Sequence, residues 1–273
     1  MGKQKVNRVK AFLSGFIFFP FPAWRDRILC DRYGQLDENG TPAFQNLTDK
    51  GRLKIMRKVK TPQKLVELLN QARTRDGLTN FMYLNGEGQQ YVGQRLTKDD
   101  DYLALFKPLT KAGHTALDGA CISTQLDFVG RLPVFEMVPF FTRTLPGLAY
   151  NEFTYLAPGV QEAALFKMTN PLYLKSFLLM PANHEGRTVF QFLPKDLKLE
   201  MVLRMAHVND VYDLYKNRSH EVELGEIINA PKEVHQSILK RFPNLTDAVV
   251  QAYRKVDFQP RKRTAFHPAH QYQ

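Results

Sequence analysis

Apolar and polar residues alternate in short runs through the first half of this chain, and this alternation constrains the fold more than any other feature. Residues 52–60, RLKIMRKVK, place Leu53 and Ile55 on one side and basic side chains on the other. A period of two is typical of a β-strand with one buried face. The pair Asn39 and Gly40 favours a hairpin turn before this run. The predicted strands are residues 5–19, 24–33, 52–60, 78–85, 89–96, 121–141 and 187–193.

Apolar residues three or four positions apart indicate helices, and they dominate the second half of the chain. The clearest helix start is Thr61 followed by Pro62, because a hydroxyl can cap the first turn and proline presets φ for a helix. The predicted helices are residues 62–75, 97–109, 158–168, 171–180, 194–218, 231–242 and 244–256.

The order of these elements predicts an α+β fold. It has an antiparallel sheet in the N-terminal half with helices packed on one face, and a helix-rich C-terminal half. Residues 1–150 are expected to form the basic antiparallel-sheet region, and residues 151–256 a mainly helical region packed on it. Residues 257–273 lack an apolar period and are expected to form a basic flexible tail.

One short segment resembles a known repeat. Residues 113–120, GHTALDGA, are similar to the opening of a single ankyrin repeat. A repeat family requires neighbours at a fixed period, and residues 80–146 show none by inspection. The sequence therefore predicts no internal repeat.

Composition and cysteine usage favour a globular protein of a reducing compartment. The chain has 273 residues, of which 44% are hydrophobic, so it can bury a sizeable core. Cys30 and Cys121 are far apart and follow no paired spacing, so neither a disulfide framework nor a thiolate zinc site is expected. A cytoplasmic location is the prediction.

The apolar run at residues 11–24 follows four basic residues and superficially imitates a secretory signal. It ends in Pro20, Phe21, Pro22 and Trp24, where a cleavage site needs small residues. The run is also too short to cross a bilayer. A buried strand is the expected interpretation, and no integral membrane association is predicted.

Positive charge is concentrated at the two ends of the chain. Residues 1–75 carry a net charge of +10 and residues 240–273 carry +5, whereas residues 76–239 carry −4. The total is +11, so polyanions such as nucleic acid or an acidic membrane surface are the expected partners.

Basic and aromatic residues interleave on the segments predicted as strands. Lysine and arginine neutralise phosphates, and flat rings stack on unpaired bases, so such a face suits single-stranded nucleic acid. The candidate nucleic-acid-binding residues are Arg25, Arg27, Arg32, Tyr33, Lys54, Arg57, Lys58, Lys60, Tyr83, Tyr91, Arg261, Lys262 and Arg263. The sequence predicts a non-enzymatic protein that binds single-stranded nucleic acid, RNA in preference to DNA, and that could form a homo-oligomer.

Two other classes of function remain open. A nucleic-acid-processing enzyme such as a nuclease could use His114 with Cys121, or His207. No catalytic or metal-binding motif accompanies these residues, so no cofactor, metal or catalytic residue is predicted. A peripheral membrane or scaffold protein could insert the Phe-rich N-terminal run beside its basic residues.

Overall fold

The structure, a computed structural model, describes residues 22–70, 74–143, 149–216 and 231–245. The chain divides into two compact units, residues 1–192 and residues 193–273. The predicted N-terminal strand, most of the predicted helix at 244–256 and the basic tail lie outside the described residues.

The described part of the first unit is built from α-helices and short 3₁₀ turns. Its α-helices are α1 (Pro22–Gly34), α2 (Asp49–Lys58), α3 (Pro62–Asn70), α4 (Gly86–Arg95), α5 (Asp99–Leu103), α6 (Ile122–Arg131), α7 (Val134–Phe141), α8 (Pro158–Lys167), α9 (Pro171–Leu178) and α10 (Val189–Phe192). Its 3₁₀ turns are Phe81–Tyr83, Ala104–Phe106 and Glu152–Tyr155.

These elements repeat in register. A first helix and a shorter second helix alternate as the pairs α2 and α3, α4 and α5, α6 and α7, and α8 and α9, which we number repeats 1 to 4. The first helices begin at Asp49, Gly86, Ile122 and Pro158, so successive starts are 36 or 37 residues apart. They pack on one another in chain order, α2 on α4, α4 on α6 and α6 on α8.

A turn of the same conformation precedes several repeats. Gly40, Gly77, Gly113 and Gly186 have positive φ angles between 74° and 87°. This is the left-handed region that glycine enters at little cost. The segment that resembles an ankyrin repeat begins at Gly113, so its neighbours do exist at a fixed period. The expectation of no internal repeat is wrong.

The buried positions follow the same period. The residue after each first helix is apolar and almost wholly buried, and so is one residue near the end of each second helix. The first set is Val59, Leu96, Leu132 and Met168, and the second set is Leu68, Leu105, Phe141 and Phe177. Each repeat therefore contributes equivalent apolar side chains to one continuous core.

Cations join the ends of neighbouring first helices. The last residues of α4, α6 and α8 are Arg95, Arg131 and Lys167, and each donates to backbone carbonyls at the end of the preceding first helix. Arg95 Nη2 lies 2.7 Å from the carbonyl oxygen of Lys60. Lys167 Nζ lies 2.6–2.8 Å from three carbonyl oxygens around the end of α6. The C-terminus of a helix leaves carbonyl oxygens without an intrahelical partner and carries a partial negative charge. These cations donate hydrogen bonds to the carbonyl oxygens and offset the negative charge.

The described part of the second unit repeats this register. Its helices are α11 (Lys195–Leu203), α12 (Val208–Lys216) and α13 (Lys232–Arg241). The first helices α11 and α13 start 37 residues apart and pack on each other. Arg241 is the last residue of α13 and donates to the carbonyl of Met205 at 2.9 Å.

The predicted antiparallel sheet is wrong. Among the described residues β-structure is limited to isolated bridges, such as that between Leu36 and Pro42. Residues 24–33 lie within α1, residues 52–58 within α2, and residues 122–131 and 134–141 within α6 and α7. The described chain is therefore helical in both halves.

Local chemistry explains these differences. Residues 52–60 also place apolar Leu53 and Met56 three positions apart, and both are buried on one helical face. Asn85, the last residue of the predicted strand 78–85, instead caps α4, since its side chain accepts a hydrogen bond from the Gly88 N–H at 2.9 Å. Pro133, within the predicted strand 121–141, separates α6 from α7.

Helix predictions based on start signals fared better. The helix expected from Pro62 is confirmed as α3, and that expected from residue 231 is α13. The long helix expected over 194–218 is divided into α11 and α12. None of the described helices combines the length and apolar character needed to span a membrane.

Replacing Arg131 with methionine tests the contribution of these cation contacts to stability. Arg131 donates to the carbonyls of Gly93 and Leu96, pairs with Asp127 at 3.0 Å and lies over the Tyr102 ring. Methionine keeps an unbranched apolar stem but removes these donors, so we expect the free energy of unfolding in urea to fall by about 2 kcal/mol. Arg95→Met removes the equivalent contact at an exposed position, where Arg95 donates to one carbonyl, and we expect it to lose less than about 1 kcal/mol. A loss below about 0.5 kcal/mol in Arg131→Met would contradict the proposed role.

Candidate interaction surface

The first helices of the first unit expose side chains at related positions, although position five of α2 is the buried Leu53. Positions one, five and nine of a helix lie on the same side, because residues four apart are neighbours on a helical surface. We call the exposed side chains at these positions of α2, α4, α6 and α8 the exposed stripe. Its members are Asp49, Arg57, Gln90, Gln94, Ile122, Leu126, Pro158, Glu162 and Phe166.

Side chains of neighbouring first helices contact one another at the stripe. Gln90 Nε2 on α4 donates to Ser123 Oγ on α6 at 3.0 Å. The Arg57 guanidinium on α2 lies 5.9 Å from the centre of the Tyr91 ring on α4. Side chains on or beside the stripe therefore link α2 to α4 and α4 to α6.

The chemistry of the stripe changes from repeat to repeat. On α2 the stripe consists of Asp49 and Arg57, and Lys54 and Lys58 are exposed beside Arg57. On α4 they are neutral amides. On α6 they are apolar, and Ile122 is 59% exposed and Leu126 41% exposed.

Aromatic side chains lie at equivalent places beside this surface. Tyr83 and Tyr155 each precede the first helix of their repeat by three residues, and they are 36% and 40% exposed. Phe166 on α8 is 43% exposed. Large apolar groups exposed to water at neighbouring places favour an interaction surface.

The predicted nucleic-acid-binding residues fall into separate groups. Arg25, Arg27, Arg32 and Tyr33 are on α1, which packs against α3. Asp26 holds α1 in place, because its buried carboxylate accepts the backbone N–H groups of Lys60 and Thr61 and the Thr61 hydroxyl.

The structure brings a second group together. Lys54, Arg57 and Lys58 are exposed on α2, and Arg57 contacts Tyr91 on α4. Lys60 follows α2, and its carbonyl accepts from Arg95.

The remaining predicted residues are placed elsewhere or not described. Tyr83 lies in the 3₁₀ turn before α4. Phe81, in the same 3₁₀ turn as Tyr83, is fully buried in the core. Arg261, Lys262 and Arg263 lie outside the described residues. No sheet carries these side chains within the described ranges, so the surface expected from strand alternation does not exist there.

A polar groove of about 220 Å³ lies between α4 and α6. It is lined by Gln90, Tyr102, Asp127 and Arg131 among others. Burial raises the pKa of the Tyr102 phenol, so this group stays protonated. A Cβ on Gly93 would lie only 2.8 Å from Asp127 Oδ2, so glycine permits the close packing of the groove wall. Arg131 in the groove wall already donates to backbone carbonyls and to Asp127. The groove wall therefore belongs to the contacts that hold α4 and α6 together.

The candidate catalytic residues have separate partners. His114 Nδ1 lies 3.1 Å from Asp118 Oδ2, whereas the Cys121 thiol contacts the hydroxyls of Ser123 and Thr124. Burial alone would raise the pKa of the Cys121 thiol, but these hydrogen bonds outweigh it and lower the pKa. His207 is an exposed residue before α12. No group of potential metal ligands occurs among the described residues.

Sequence reasoning missed the stripe residues of α6 and α8 and one buried acid. Glu152, at the start of a 3₁₀ turn, is fully buried. It accepts a hydrogen bond from the Thr115 hydroxyl and pairs with Arg143 Nη2 at 3.2 Å. Burial raises its pKa to about 7. Arg143 and Thr115 act in the opposite direction, and the Asp118 carboxylate raises the pKa further.

Comparison with known proteins adds no assignment. No family model, no curated protein and no solved structure matches this chain. The functional interpretation therefore rests on the repeats and on the exposed stripe.

Glu152 predicts a pH dependence of stability. Its pKa in the folded state lies above the ordinary value of 4.5, so folding favours the neutral acid. The stabilisation that folding gains from the neutral Glu152 acid is fully present below about pH 4.5 and is lost as the pH rises through about 7. Relative to Glu152→Gln, the wild-type free energy of unfolding should fall by up to about 3 kcal/mol across that window. Urea unfolding at several pH values measures this difference, and both proteins retain His114 and Asp118. Parallel pH profiles would contradict the prediction.

Proposed function

We propose that this chain is a non-enzymatic helical-repeat scaffold that binds a polypeptide partner along the exposed stripe. The observation that carries the proposal is the register of α2, α4, α6 and α8, which pack in chain order and expose side chains at positions one, five and nine, apart from the buried Leu53 of α2. Stacked repeats generally form extended binding surfaces of this kind, because the core positions fix the fold and the exposed positions are left to vary.

The form of the repeat supports this class. A turn with glycine at positive φ precedes two helices, as before α4 and α6. This arrangement resembles the ankyrin repeat, which combines a β-turn with two helices over about 33 residues. Residues 113–120 carry the sequence similarity at the turn of repeat 3.

Exposed apolar side chains on the stripe indicate the kind of partner. Ile122, Leu126 and Phe166 can be removed from water by a polypeptide, which supplies apolar side chains and backbone hydrogen bonds together. Binding of a polypeptide through apolar contacts requires no reactive group, so the proposal places no catalytic residue on the stripe.

Peptide selection tests the proposal. Random twelve-residue peptides displayed on phage are selected against the immobilised full-length chain, and the enriched peptides are then measured in solution. Replacing Leu126 and Phe166 with glutamine should weaken their binding at least about tenfold, because both side chains leave the apolar contact. The matched control is Leu172→Gln with Tyr173→Gln, since these residues are similarly exposed but belong to a second helix. Failure to enrich any peptide, or equal weakening by the control, would overturn the proposal.

Binding of single-stranded nucleic acid is a second candidate function. The observation that favours it is the Arg57 guanidinium over the Tyr91 ring, with Lys54, Lys58 and Lys60 nearby. Cations beside an aromatic ring suit phosphates and an unpaired base.

A salt series tests this second candidate. Affinity of the full-length chain for a twelve-nucleotide oligouridine should fall steeply between 50 and 200 mM salt if phosphates bind these cations. Lys54→Glu with Lys58→Glu should abolish the binding. Affinity that is absent at low salt, or that does not change with salt, would exclude this function.

A further inference from the structure

The charge pattern of the exposed stripe indicates which polypeptide it binds. The basic end of the stripe is α2, where Arg57 belongs to the stripe and Lys54 and Lys58 are exposed beside it. The acidic residue of this helix, Asp49, is already paired with Arg52 at 2.9 Å. A ligand placed on α2 therefore meets an excess of positive charge.

That excess ends at α2. The cations that terminate α4, α6 and α8 are Arg95, Arg131 and Lys167, and all three donate to backbone carbonyls of the preceding repeat. The exposed acids Glu87 and Glu162 lie on α4 and α8. The exposed side chains between them are the amides of α4 and the apolar Ile122 and Leu126.

A polyphosphate suits only the first part of such a surface. A nucleic acid carries one charge for every nucleotide, so its charge would continue past α2 onto helices that offer acids and apolar groups. A polypeptide can change from acidic to apolar along its length. Charge complementarity therefore favours a polypeptide over an RNA strand on the stripe as a whole.

The size of the stripe fixes the length of the segment. Packed helices are about 8–10 Å apart, so the three intervals from α2 to α8 span roughly 24–30 Å. An extended polypeptide advances about 3.3 Å per residue. About eight or nine residues therefore cover the stripe.

We propose that the partner is a polypeptide segment of this length in which a block of acidic residues adjoins a block of apolar residues. The acidic block contacts Lys54, Arg57 and Lys58, and the apolar block contacts Ile122, Leu126 and Phe166. This inference rests on the proposed scaffold function and adds the chemistry and order of the ligand.

Fluorescence anisotropy with the full-length chain tests the order of the blocks. The probes are a labelled peptide with four glutamates followed by four leucines and phenylalanines, a peptide of the same composition in alternating order, and a twelve-nucleotide oligouridine. The block peptide should bind at least about tenfold more tightly than the alternating peptide, because only the block order satisfies both ends of the stripe at once.

Two pairs of charge reversals locate the acidic block. Lys54→Glu with Lys58→Glu should weaken block-peptide binding at least about tenfold. The matched control reverses two other exposed lysines, Lys98 and Lys107, and should change the dissociation constant less than about twofold. Neither pair includes a buried residue, and circular dichroism of both variants checks that they fold.

The outcomes separate this inference from the function on which it rests. Phage selection that enriches peptides without acidic residues would overturn the inference and leave the scaffold function standing. Selection that enriches nothing would overturn both. Equal binding of the block and alternating peptides, or tighter binding of oligouridine that displaces the block peptide, would also overturn the inference, and the second result would favour the nucleic-acid function.

Discussion

The register of this protein depends on cations that bind the ends of neighbouring helices. Arg131 and Lys167 end their own helices and donate to the carbonyls that end the helix before, so one side chain satisfies acceptors that a helix cannot pair internally. Burial lowers the pKa of Lys167, which is the cost of taking its ammonium out of water. A side chain of fixed length reaches only one helix end, and this contact therefore sets how each repeat lies against the next. The exposed stripe exists because that register is kept.

Local signals in the sequence predicted some elements but not the architecture. Thr61 and Pro62 mark the start of α3 correctly, and Gly40 adopts the positive φ expected of its turn. The alternation in residues 52–60 was misleading because a run of nine residues fits a strand and an amphipathic helix almost equally. Met56 and Leu53 are both buried on one side of α2, as a helix requires. This burial arises from tertiary packing, including that of α2 on α4, which the run of nine residues does not contain.

The repeat was not predicted because equivalent positions of successive repeats share an apolar or a basic character but do not carry the same residue. Leu68, Leu105, Phe141 and Phe177 occupy equivalent buried places, and side chains of this kind occur throughout the chain. The basic residues that end successive first helices, Arg95, Arg131 and Lys167, follow one another at intervals of 36 residues. This spacing was visible in the sequence. The exposed stripe could not be found in the same way, since exposure of Leu126 or Phe166 depends on the packing of neighbouring helices.

Net charge overstates the polyanion-binding surface of a protein built in this way. Arg95, Arg131 and Lys167 count toward the total of +11, but their donors point at backbone carbonyls. Arg52 likewise donates to the carbonyls of Gln45 and Tyr83. On the first helices of the first unit, the exposed cations that do not donate to such carbonyls are concentrated on α2. Attraction to an acidic ligand is therefore local to the first repeat. For the polypeptide partner proposed above, recognition further along the array would come from the apolar groups of α6 and α8, whose effect is short-ranged and depends on shape.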